Sequence, residues 1–95
     1  MAGVEKVYVV CYDISRAKIR RKVAGLLEEK LCRVQMSVFE GRLSKSGAQT
    51  LFHAMSSLIN KGDSIRMYAL TKPAMENSRV IGGAPLSEDH DFWLL

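Results

Sequence analysis

The sequence predicts an α+β sandwich in which one antiparallel sheet carries two helices on a single face. Three observations predict it. Apolar residues alternate with period two near the start, middle and end of the chain, two stretches between them repeat with helical period, and 95 residues with 47% hydrophobic and 25% charged content suffice for one core and no more. The whole chain, 1–95, therefore reads as a single domain, with a core at about 4–71 and a C-terminal segment at about 72–95 for dimer or partner binding.

The first strand runs from Val4 to Tyr12, rich in β-branched and aromatic residues, and ends at Asp13-Ile14-Ser15. Ser15 or Asp13 can cap the helix that follows, whose apolar positions Ile19, Val23, Leu26, Leu27 and Leu31 form one stripe. Its other face carries Arg16, Arg20, Arg21 and Glu28. Between Arg33 and Leu43 the period returns to two, with Val34, Met36 and Val38 opposite Gln35, Ser37 and Phe39, and Gly41 is read as a bend or bulge between two strands.

Ser46-Gly47-Ala48-Gln49 fits a capping box for a second helix striped by Ala48, Leu51, Phe52, Met55, Leu58 and Ile59 and ending at Gly62. Asp63 to Thr71 is a further strand, with Ile65, Met67 and Ala69 opposite Arg66, Tyr68 and Leu70. Short apolar pieces at Arg79–Ile81 and Phe92–Leu95 are candidates for an edge strand. This order is that of a ferredoxin-like βαββαβ sandwich with a C-terminal extra strand.

With both helices on one face, the opposite face is expected to show Tyr8, Val10, Tyr12, Phe39, Tyr68 and Leu70, too apolar to stay open to water. A second subunit, stacked RNA bases or the chain's own C-terminal segment would cover it. A chain this short gains from completing its core in a homodimer, for which Tyr8, Val10, Tyr68 and Leu70 are the expected dimer face.

Net charge is +4, and residues 1–45 hold ten Lys/Arg against five Asp/Glu, while residues 46–95 hold four against five. The basic residues Arg16, Lys18, Arg20, Arg21 and Lys22 suit a polyanion or a solvated helix face. No apolar run approaches the roughly 20 residues of a membrane helix and no secretory signal is visible, so the expected location is the cytoplasm, with no membrane partner. Cys11 and Cys32 are read as reduced thiols, His53 and His90 as surface residues, and Glu88-Asp89-His90-Asp91 as a solvated acidic loop.

Asp13 is the residue with chemical promise. A carboxylate at the end of an apolar strand is commonly a helix cap, and one carboxylate alone makes a poor Mg²⁺ site. A two-fold axis close to Asp13 would supply its symmetry mate.

Four strings, Tyr8-Val9-Val10-Cys11-Tyr12-Asp13-Ile14, Arg20-Arg21-Lys22-Val23, Arg33-Val34-Gln35-Met36-Ser37-Val38-Phe39-Glu40 and Asp63-Ser64-Ile65-Arg66-Met67-Tyr68, occur in the order of the small CRISPR-associated endoribonuclease family, the non-integrase member of the CRISPR adaptation pair. The chain resembles that family from about Val7 to Leu70. The resemblance implies a ferredoxin-like homodimer, a metal (Mg²⁺ or Mn²⁺) held by Asp13 as the catalytic residue, and phosphodiester hydrolysis in RNA or DNA. It also places Tyr12, Arg20 or Arg21, Arg33, Ser37 and Phe39 at the cleft or its support and implies the adaptation integrase as partner, while Arg16, from the basic cluster, is the further residue expected to meet nucleic acid.

Cys32 stands where the family often has glycine, and the tail after Pro73 matches loosely. No His or Glu stands out as a general base, so water activation would rest on the metal. The alternative within the family is a non-catalytic adaptor that holds duplex DNA and bridges integrase subunits. An RNA-recognition domain would need an aromatic signature this chain lacks, and an acylphosphatase-like enzyme a glycine-bearing phosphate loop that Met36-Ser37 replaces.

Overall fold

The computed structural model describes residues 4–83, 85 and 86. Strand β1 (Glu5–Asp13) leads into helix α1 (Ala17–Glu28), the hairpin β2 (Cys32–Gln35) and β3 (Val38–Ser44), helix α2 (Lys45–Ser56), strand β4 (Ser64–Leu70) and a short helix α3 (Lys72–Glu76). The sheet order is β2-β3-β1-β4, with every neighbour antiparallel. This is the expected βαββαβ arrangement. As for an extra strand, Arg79–Ile81 forms none, and Phe92–Leu95 lies outside the described residues.

The core lies between the sheet and α1 and α2. Val10, Val23, Leu27, Phe39 and Met55 are its fully buried members, joined by Tyr8, Tyr12, Ile14 and Leu31. The expected sheet faces need one correction, and it concerns β1 and Phe39. Val10 pairs with Phe39 and Met67, and Tyr8 with Gly41 and Ala69, so Tyr8, Val10, Tyr12 and Phe39 face the helices. The opposite face carries Val7, Val9, Cys11 and Asp13 with Val38, Glu40, Arg66, Tyr68 and Leu70, and of these Val7 is buried, at 2% exposure.

Tyr8 and Val10 are therefore core residues, whereas Tyr68 and Leu70 do lie on the face away from the helices. The physical reason is that both alternations of β1 are apolar, Tyr-Val-Tyr on one side and Val-Val-Cys on the other. Period two separates the sides without saying which is inward.

The hairpin turn falls at Met36-Ser37, not at Gly41. Met36 stands at its tip, 83% exposed. Gly41 lies inside β3, where a Cβ would sit 2.7 Å from Leu31 Cδ2 and 3.3 Å from Leu31 Cα. The glycine lets buried Leu31 close the α1–β2 connection onto the sheet. Gly41→Ala is expected to cost about 1–3 kcal/mol through overpacking, measured as a lower urea midpoint with unchanged slope.

Neither helix starts as expected. At α1 the capping position is Arg16, with no side-chain cap, so neither Asp13 nor Ser15 serves there. At α2 the cap is Ser44, whose Oγ accepts the Gly47 N–H at 3.0 Å, two residues before the expected box. Serines at both 44 and 46 satisfy the sequence rule, and the one that ends β3 takes the role. Helix α2 stops at Ser56, yet Leu58 and Ile59 still pack against the core, while Phe52 lies at the margin of the stripe, 39% exposed. Among the described residues, no helix is long and apolar enough to cross a membrane.

Candidate metal and nucleic-acid site

One end of the sheet gathers the C-terminus of β1, the β2–β3 turn and the start of β4. Asp13 is the last residue of β1 and pairs with Ser64. Its neighbours Tyr12 and Ile14 are both buried in the core. Alternation along the strand then sends the Asp13 side chain to the opposite face, where it is exposed. Among the described residues nothing donates to its carboxylate, so it is free to meet a ligand.

Tyr12 locks this end together. Its N–H donates to the Ser37 carbonyl at 3.2 Å and its hydroxyl to the Met36 carbonyl at 3.3 Å. Its ring stacks on Phe39 with centroids 6.3 Å apart. Ser37 thus takes part through its backbone, and Phe39, at 0% exposure, supports the site from within. A fully buried ring cannot stack on a base.

The basic residues divide by what they already hold. Arg20 Nη1 donates to the carbonyls of Ile14 at 2.9 Å and Ser15 at 2.8 Å, bracing the turn that follows Asp13. The Arg33 guanidinium lies 5.1 Å from the Phe39 ring centroid and 3.9 Å from Glu28. Arg16, Lys18, Arg21 and Lys22 are exposed on or beside α1, available to phosphates.

Two residues here escape sequence reasoning. Arg66 lies on the Asp13 face, opposite Cys11 in the register, and its Nη1 donates to the Tyr68 hydroxyl at 3.3 Å. That hydrogen bond, with smaller charge contributions from Tyr68 and Cys11, raises the guanidinium above its ordinary value. Arg66 is thus a permanent cation on the uncovered face. Asp63 joins the α2–β4 turn to the turn after Asp13, accepting the Ser15 N–H at 3.2 Å and the Asn60 N–H at 3.0 Å. Both stand in a string that carries the family resemblance, and strand alternation marks the face of Arg66, but neither signal shows that the Asp63 carboxylate reaches Ser15.

Among the described residues the donor set does not complete a metal site. Among the described residues no three of His, Cys, Asp and Glu stand together. Mg²⁺ takes near-octahedral oxygen coordination, usually from one or two carboxylates with waters or phosphates. Asp13 supplies one such carboxylate. His53 is exposed on α2, and His90 with its acidic neighbours lies outside the described residues.

Comparison with known proteins converges on one family. The family described as CRISPR associated protein Cas2 matches residues 6–78. The CRISPR-associated endoribonuclease Cas2 2 of Synechocystis is 39% identical over 90 residues, covering 93% of this chain and 97% of that one. A hypothetical protein from Thermus thermophilus superposes with a TM-score of 0.75 at 34% identity, over 87% of this chain and 98% of that one. A chain of a partial Cas6-RT-Cas1–Cas2 complex superposes with a TM-score of 0.70 at 32% identity, over 85% and 90%.

Proposed function

The chain belongs to the Cas2 family of CRISPR-associated proteins, and from that premise we propose that it is a metal-dependent endonuclease of RNA or duplex DNA that works as a homodimer beside the adaptation integrase. The observation that carries this reading is the exposed, unengaged Asp13 carboxylate, aimed from the end of β1 onto the sheet face that the helices leave uncovered. That face includes Val9, Cys11, Val38, Tyr68 and Leu70, and a second copy laid on it buries them while bringing two Asp13 residues together.

The two Asp13 carboxylates would hold one Mg²⁺ or Mn²⁺. When bound, such an ion lowers the pKa of a coordinated water and offsets charge developing on the scissile phosphate. The chain's own residues do the rest. Tyr12 and Arg20 keep the backbone on either side of Asp13 in place, while Arg16 and Arg21 bind flanking phosphates from the exposed face of α1. Endoribonuclease is the activity named for the Synechocystis relative, and the likeness to a chain of the Cas1–Cas2 complex supports the integrase as partner.

A second reading is a duplex-binding adaptor. The observation favouring it is that, among the described residues, no three of His, Cys, Asp and Glu stand together to hold a metal ion. The two readings differ in what Asp13 does. Asp13→Ala is expected to lower cleavage of single-stranded RNA or duplex DNA with Mg²⁺ or Mn²⁺ by at least about 100-fold, leaving duplex binding intact. Equal cleavage by both proteins, or none by either, with binding intact establishes the adaptor.

A further inference from the structure

We infer that Asp63 is a positioning residue for the Asp13 site, an inference that deepens the proposed nuclease reading and rests on it. Asp63 closes the α2–β4 turn: its N–H donates to the Asn60 carbonyl at 3.0 Å, and its Oδ2 accepts the Asn60 N–H at 3.0 Å. Its other oxygen, Oδ1, reaches 48 residues back along the chain to accept the Ser15 N–H at 3.2 Å. Ser15 is two residues after Asp13.

The same short turn is gripped from its other side by Arg20, through the carbonyls of Ile14 at 2.9 Å and Ser15 at 2.8 Å. One N–H and two carbonyls in two consecutive residues are thus held by a carboxylate and a guanidinium. The ordinary local device is missing, because α1 begins at Arg16 without a side-chain cap. The strand sends Asp13 to its face, and the turn that immediately follows it is held by a long-range clamp, one jaw of which is Asp63.

These bonds lie at the surface, and water can replace them when Asp63 is removed. Their loss relaxes the turn without opening the core, which separates a positioning role from a structural one. Asp63 does not touch Asp13, so its effect comes through the turn, and displacement of a reacting group by about 1 Å can cost up to 10²-fold in rate.

The test compares wild type with Asp63→Ala and Asp63→Asn in the full chain, reading cleavage of the same RNA and duplex substrates with Mn²⁺, Mn²⁺ affinity, and amide exchange at Ser15 and at core residue Val10. The expected result for Asp63→Ala is a kcat lower by about 10-fold, weaker Mn²⁺ binding, an unchanged KM for nucleic acid and faster exchange at Ser15 but not at Val10. Asp63→Asn keeps one acceptor oxygen and should fall between the two.

Unchanged kcat and Mn²⁺ affinity in both variants, with wild type active, overturn the inference and leave the nuclease reading standing. Faster exchange at Val10 as well as Ser15 overturns it in favour of a purely structural role. A wild type that neither cleaves nor binds Mn²⁺ overturns the nuclease reading, and the inference with it.

Discussion

Tyr8→Glu is expected to unfold the subunit, whereas Tyr68→Glu leaves it folded and changes only its association. Tyr8 is buried between β1 and the helical layer, so a carboxylate there is either an unpaired buried charge or is neutralised at comparable cost. The loss should be about 4 kcal/mol or more, close to the whole stability of a small domain. Tyr68 is 49% exposed on the other face, where a carboxylate stays hydrated in the monomer and opposes only the burial that pairing would bring.

Circular dichroism melts with analytical ultracentrifugation at matched protomer concentration separate these outcomes. A folded Tyr8→Glu would contradict the sheet faces described here. A Tyr68→Glu protein that associates as wild type does would remove the uncovered face as the dimer surface.

The second large effect belongs to Phe39. Its ring is fully buried, stacks on Tyr12 and lies beneath the Arg33 guanidinium, and its backbone sits opposite Val10 at the centre of the sheet. Truncation to alanine should cost about 3–5 kcal/mol, the range for large-to-small changes that leave a cavity. Because Tyr12 loses its packing partner, the bonds it makes to Met36 and Ser37 loosen as well. Urea titration should show a lower midpoint, and a residual folded fraction should cleave less than its population predicts. Loss of cleavage strictly proportional to loss of folded protein would confine Phe39 to the core.

The element order is legible in the sequence because each segment has a period of its own and its apolar residues fall on one side. For α1, Val23 and Leu27 are deeply buried as the stripe requires, with Ile19 and Leu26 packed at its edge. In β4, charged Arg66 beside Ile65 and Met67 tells the inner side from the outer. Strand β1 offers no such contrast, having apolar residues on both sides, so its phase becomes known only when Val9 pairs with Tyr68 and Val10 with Met67.

Asp13 is legible because an acidic residue closing an apolar strand is conspicuous and the surrounding strings resemble a family. Its supports are less so. Arg20 is readable as a basic residue near a site, but not as a brace on backbone carbonyls. Asp63 reads as the first residue of a strand, and its role in the turn is hidden because its partner Ser15 is remote in sequence and hydrogen bonds of that range leave no periodic trace.

The span of that contact also bears on the order in which the molecule assembles. Closing a loop of 48 residues costs chain entropy that is recovered only when β4 docks against β1, and non-local pairing of this kind is slow compared with forming α1 or the β2–β3 hairpin. During synthesis, Asp13, α1 and the hairpin emerge well before Asp63. A chain at that stage has its acidic residue but lacks the strand that flanks it and the carboxylate that steadies the turn beyond it. The geometry of the site is thus among the last things the polypeptide acquires, since it waits on the pairing of β4 with β1.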